Sequence, residues 1–235
     1  MDNDELARRC TTLTSAHLAD ACLRTNVPVR CAPASVRPTA PGARVTGRAR
    51  PARHAGSVDV FLEAIEHAAP GDVLVVDNGG RADEACVGDL LVLEAQAAGL
   101  AGLVIWGLHR DSADLRAISL PVFSTGAIPT GPQRLDESHP EALRSATVGE
   151  WLITDDDLVI GDDDGVLFLP TDTAEEIIRC AETIRDTERH QAQQIRDGIP
   201  LRHQLRFDTY LAQREQTPSL TFRAHLRAIG GAIEQ

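Results

Sequence analysis

Residues 72–106 read DVLVVDNGGRADEACVGDLLVLEAQAAGLAGLVIW, and this stretch decides the fold class. Val73-Leu74-Val75-Val76 is a short apolar run with the look of a buried strand. The loop from Asn78 to Gly88 holds three glycines, and a helix is predicted from Asp89 to Ala98. Gly99 and Gly102 bracket the turn into a second buried strand, Leu103 to Trp106. Strand, loop, helix and strand in this order point to an α/β layered core whose sheet is parallel in part.

Upstream, a helix is predicted from Leu13 to Leu23, capped by Thr14 or Ser15, with Leu18, Ala21 and Cys22 on its apolar face. Pro28 to Pro41 carries four prolines and reads as an extended loop. Arg44 to Ala49 alternates like a strand and leads into a loop, and Val58 to Ala68 has helical spacing of apolar residues. Downstream, Pro121-Val122-Phe123 reads as a third strand of the core. Thr147 to Pro170 reads as antiparallel strands joined at two acidic turns, Asp155-Asp156-Asp157 and Asp162-Asp163-Asp164-Gly165. From Thr171 the pattern is helical and charged, broken at Gly198-Ile199-Pro200. The expected organisation is an α/β core over 1–170 and a helical extension over 171–235, an appendage rather than a second domain.

The chain has 235 residues, 43% of them hydrophobic, enough for one sizeable core. A net charge of −12 disfavours nucleic-acid and anionic membrane partners, and an aromatic content of 3% offers no base-stacking platform. Five cysteines without C-x-x-C spacing, and a charged start without an apolar leader, fit a reducing, cytoplasmic setting. All 23 basic residues are arginine, so a Schiff-base mechanism is excluded by composition.

Two places stand out for chemistry. A Gly-rich loop ending at the start of a helix, Gly88-Asp89-Leu90-Leu91, suits an anion, although an ordinary strand-to-helix connection has the same look. Arg110-Asp111 follows the second strand, where such sheets place ligands: a guanidinium fork for a carboxylate and a hard oxygen donor for Mg²⁺ or Mn²⁺. A surface charge pair or a helix cap would read the same way.

Asp89, twenty intervening residues, Arg110-Asp111 and then Asp114 form a D-x20-R-D-x2-D pattern. With Pro70 to Asp77, Gly102 to Gly107 and Gly161 to Val166 around it, the pattern resembles that of the RraA-like family, which includes class II pyruvate aldolases. The resemblance runs from about Leu13 to Pro170 and more loosely through the tail. It implies an α-β-β-α sandwich of the swivelling-domain type, a homotrimer or homohexamer, and a site near the subunit interface. It implies a metal-dependent lyase that cleaves a 4-hydroxy-2-oxo acid to pyruvate or decarboxylates oxaloacetate. By this resemblance Asp111 ligates the metal, Arg110 holds the oxo-acid end, Asp89 lies by the metal's water shell, and the amides of Gly88 to Leu91 bind the pyruvyl carboxylate. The family also implies alternatives: a non-catalytic regulator that binds a ribonuclease, or a lyase or hydratase for another oxo acid. Trp106 stands where relatives carry an acidic residue and Asp59 where many carry Asn. Trp106, His109 and Asp114 are further candidates for the pocket, His109 either as an acid/base or as a structural group.

Overall fold

The computed structural model describes residues 2–230. Its main sheet has eight strands in the order Arg30–Cys31, Gly165–Pro170, Asp157–Asp162, Val45–Arg53, Val73–Asp77, Gly102–Trp106, Val122–Ser124, Arg37–Pro38. The four strands from Val45–Arg53 to Val122–Ser124 are parallel to one another, and the outer pairings are antiparallel. Every residue of Val73–Asp77 is buried, as its unbroken apolar run requires of a strand covered on both faces.

The sheet curls until its ends meet. The Arg37 guanidinium donates to the carbonyls of Asp163 and Asp164 at 3.2 and 2.8 Å, tying the last strand to a turn on the opposite side. Inside the curl Val75, Val104, Phe123, Val159 and Phe168 meet the hairpin Ser145–Val148/Trp151–Thr154. Outside, one half of the sheet packs Leu74, Val76, Leu103 and Ile105 against helices Asp59–Glu66, Asp89–Ala97 and Ser112–Ala117. The other half packs Leu158, Ile160, Leu167 and Leu169 against helices Asn3–Cys10, Ser15–Arg24 and Ala174–Arg196. Helix, sheet, sheet and helix are thus stacked, the expected α-β-β-α sandwich.

Several expectations need adjusting. The strand predicted at Arg44 to Ala49 runs on to Arg53 through Pro51. From Ala49 onward it is paired only with Val73–Asp77, so the missing N–H of Pro51 interrupts no second ladder. The acidic turns each hide a structural aspartate. Asp157 is buried at the start of a strand and meets Arg30 at 2.5 Å. Asp162, also buried, accepts from the Ser15 amide and hydroxyl, both at 2.7 Å. Thr14 caps the helix that follows, in a reciprocal box with His17.

The Ala174–Arg196 helix places Ile177, Ile178, Ala181 and Ile184 in the core and is tied to the N-terminal helix by Arg9, which meets Glu175 at 2.8 Å and Glu182 at 2.9 Å. Beyond it, Phe207, Tyr210, Phe222 and His225 form a small aromatic cluster among the last helices. Among the described residues no helix is long and apolar enough to cross a membrane.

Candidate functional site

A short parallel ribbon brings the two candidate segments together. Ala85–Val87 pairs with Leu108–His109, and the Arg110 amide donates to the Val87 carbonyl at 2.9 Å. The residues that follow each strand, Gly88-Asp89 and Arg110-Asp111, therefore meet at one corner. The fit there is close: a Cβ on Gly88 would lie 2.5 Å from Asp111 Oδ2 and 3.0 Å from Arg110 Nε. Only glycine leaves room for both side chains.

Asp111 has φ 58° and ψ 40°, the left-handed region, which costs an L residue energy and is tolerated best by Asn and Asp. It stands at the N-cap of Ser112–Ala117 without capping that helix. Among the described residues its Oδ2 has only long contacts, 3.4 Å to the Asp89 amide and 3.4 Å to Arg110 Nε. At 34% side-chain exposure its lone pairs remain available. A hard, open carboxylate of this kind fits Mg²⁺ or Mn²⁺, since Mg²⁺ keeps several waters and takes one or two protein carboxylates. Among the described residues of one chain, no group of three or more His, Cys, Asp and Glu could hold a metal ion by itself.

Beside this corner lies a cleft of about 350 Å³. Gly88, Asp89, Leu90, Leu91 and Arg110 line one side, and His54, Gly56, Val58 and Pro132 are also among its lining residues. The Asp89–Ala97 helix has no side-chain cap, and beyond the long contact of the Asp89 amide with Asp111 its first amides, those of Leu90 and Leu91, are left to a ligand. Leu90 is 76% exposed at the surface, whereas Leu91 is buried. Cys86 also lines the cleft; burial pushes its thiol up to about 12, so it is an inert filler at neutral pH.

The remaining candidates lie elsewhere. His109 is buried behind the corner, its Nδ1 2.7 Å from Ser124 Oγ and its Nε2 2.9 Å from Ser112 Oγ. It braces the chain on either side of Arg110-Asp111, and burial holds its pKa below the usual histidine value. Asp114 is exposed on the Ser112–Ala117 helix, outside the cleft lining. Trp106 lies against Gly80, whose φ of 65° and near contact with the indole leave no space for a side chain. Trp106 lines a second, wider opening with Arg53, Asp77, Asn78, Arg81 and Arg134. There Arg53 meets Asp77 at 3.4 Å, and Arg134 donates to Glu84 at 3.1 Å and to Asn78 Oδ1 at 3.1 Å. Asp59 sits in the first turn of its helix, with Oδ1 accepting from the Val60 amide at 3.0 Å.

The residue-by-residue reading of the sequence passed over His54, which borders both openings. Its partner Asn78 is 24 residues away and Arg134 is 80, so no local pattern announces it.

The RraA-like family, described as Aldolase/RraA, matches residues 15–168. A Halalkalibacterium halodurans protein provisionally named 4-hydroxy-4-methyl-2-oxoglutarate aldolase is 28% identical over 166 residues, 70% of this chain and 78% of that protein. Other curated relatives are matched over 21% to 65% of their own length. Among solved structures, an uncharacterized Pseudomonas syringae protein superposes with a TM-score of 0.75 at 26% identity, over 84% of this chain and 95% of that one. Streptomyces coelicolor RraAS2, described as an unusual member of the RNase ES inhibitor RraA family, gives 0.70 at 28% identity, over 83% of this chain and 100% of its own.

Proposed function

Since the chain belongs to the RraA-like family, we propose that it is a lyase releasing pyruvate from a 4-hydroxy-2-oxo acid, with oxaloacetate decarboxylation as the related reaction of the same cleft. One observation carries this reading: the Gly88-Asp89 helix start, Arg110 and Asp111 converge at one corner, within 3.0 Å of the Gly88 Cβ position for the two side chains. A donor pair for an oxo-acid and an open hard-oxygen ligand side by side are what enolate chemistry needs.

The open amides of the Asp89–Ala97 helix bind the pyruvyl carboxylate. The half-exposed Arg110 guanidinium lies over the growing negative charge on the 2-oxo oxygen and stabilises it. Asp111 would hold Mg²⁺ or Mn²⁺, with Asp89 beside its water shell. When bound, the ion would supply Lewis-acid polarisation of the 2-oxo group. Leu91 and Val58 present apolar surface to the cleft. A homo-oligomer, trimer or hexamer, is the assembly that the resemblance to the family implies, and a neighbouring copy would then complete the surroundings of the ion.

The test is pyruvate release from 4-hydroxy-4-methyl-2-oxoglutarate and from oxaloacetate, with Mg²⁺ or Mn²⁺ and with chelator. Turnover that stops with chelator and with Asp111→Ala supports the proposal. Turnover indifferent to both removes the metal, and no turnover of either substrate removes the reaction.

A further inference from the structure

The cleft is larger than a pyruvyl group needs, and its lining beyond the helix start contains an imidazole with one nitrogen unused. The His54 ring is packed flat on Phe61, with centroids 5.2 Å apart at 14°. Its Nδ1 is 2.8 Å from Asn78 Oδ1. That same oxygen accepts from Arg134 Nη2 at 3.1 Å, and a guanidinium can only donate, so the atom facing Nδ1 is the amide oxygen. Nδ1 must therefore carry the ring proton, which leaves Nε2 with a bare lone pair. Among the described residues Nε2 has no hydrogen-bond partner. A side chain that is 1% exposed, held on one face and one edge, with its remaining nitrogen unpaired, is a preorganised acceptor.

We propose that His54 is the catalytic base of the cleavage reaction, taking the 4-hydroxyl proton of a 4-hydroxy-2-oxo acid whose pyruvyl end lies at Gly88 and Arg110. This rests on the lyase reading above and deepens it, because it makes the hydroxylated acid the substrate for which the cleft is built. Nε2 accepts the hydroxyl proton, the C4–O bond becomes a carbonyl, and the C3–C4 bond breaks. Its electron pair passes into the C2–C3 enolate, and the imidazolium returns the proton to C3 to give pyruvate. Decarboxylation of oxaloacetate has no hydroxyl proton to remove, so His54 has no base to supply before that bond breaks.

The surroundings support a ring that is neutral at rest and tolerates charge briefly. Burial is the main cause holding its pKa below the ordinary histidine value, and the Arg134 charge acts in the same direction. The Asn78 hydrogen bond opposes this, as do the Glu84 and Asp59 carboxylates. Glu84, buried and 3.9 Å from Nδ1, is placed to stabilise the imidazolium once it forms.

The experiment compares wild type with His54→Gln on both substrates and across pH. The ratio of 4-hydroxy-4-methyl-2-oxoglutarate cleavage to oxaloacetate decarboxylation should fall about a hundredfold, and the acid limb of the cleavage kcat/KM profile should vanish. A parallel fall in both reactions makes His54 structural and overturns the proposal, as does an unchanged ratio. Nitrogen-15 NMR of the histidine-labelled wild-type protein gives a reading independent of the variant's folding and of turnover. A proton on Nδ1 is expected, and one on Nε2 would overturn the assignment. Wild type releasing pyruvate from neither substrate would instead overturn the lyase reading and this role with it.

Discussion

The two helical layers begin their helices differently. On the layer away from the cleft, Asp2 and Thr14 cap their helices, accepting from the Glu5 and His17 amides, and only the Ala174–Arg196 helix lacks a side-chain cap. On the cleft layer, the helices starting after Val58, Gly88 and Asp111 have no side-chain cap at all. Even Asp111, of a residue type that caps well, turns its carboxylate to Gly88 and Arg110 instead. One layer spends its polar groups on holding the fold, and the other leaves them open to a ligand. Stability and function should therefore respond in opposite ways to substitutions in the two layers.

The largest effect tests the cleft layer. If the proposed lyase reading is right, Asp111→Gly should cut pyruvate release by about a thousandfold or more, since a metal held by Asp111 would be worth several kcal/mol to the transition state. It should also raise stability by about 1 kcal/mol by relieving the left-handed backbone. A urea midpoint that falls with activity would break the contrast. Gly88→Ala comes next. Displacing Asp111 and Arg110 by the added methyl should cost about a hundredfold in kcat/KM, with little change in the urea midpoint, because the atoms that must move belong to two partly exposed side chains.

On the other layer the signs reverse. Asp162→Ala leaves the Ser15 amide and hydroxyl without their acceptor and should lower stability by about 2–3 kcal/mol, while kcat/KM stays near the wild-type value. Thr14→Ala should cost about 1 kcal/mol, again in stability alone. The smallest effect is a pH slope. His54 has a depressed folded pKa, so below the unfolded value near 6.5 the unfolded chain binds the proton first. Stability is full above that value and declines as pH falls towards the lower folded one. Thermal midpoints of His54→Gln between pH 7 and pH 5 should show a shallower decline than those of wild type.

Sequence was most informative where one segment contains its own reason. The Val73–Val76 and Leu103–Trp106 runs announce strands because both faces of each are buried locally. The D-x20-R-D spacing is legible because one ribbon, Ala85–Val87 on Leu108–His109, converts it directly into proximity. Legibility fails where the partner is remote. Asp157 and Asp162 look like solvated turn residues until Arg30 and Ser15, 127 and 147 residues away, are found against them. Arg50 and Arg53 hide the second half of a strand, because their charges are met by Asp72 and Asp77 of the next strand region. His109, beside Arg110, reads from sequence either as an acid/base or as a structural group. The alternation of the short ribbon turns it inward instead, to two serines.

The curled sheet ends in two strands of only two residues, Arg30–Cys31 and Arg37–Pro38. An edge this short, with a proline in one case and an arginine in both, gives no ladder on which a foreign strand could grow. Crowded copies are thereby steered away from strand-by-strand aggregation.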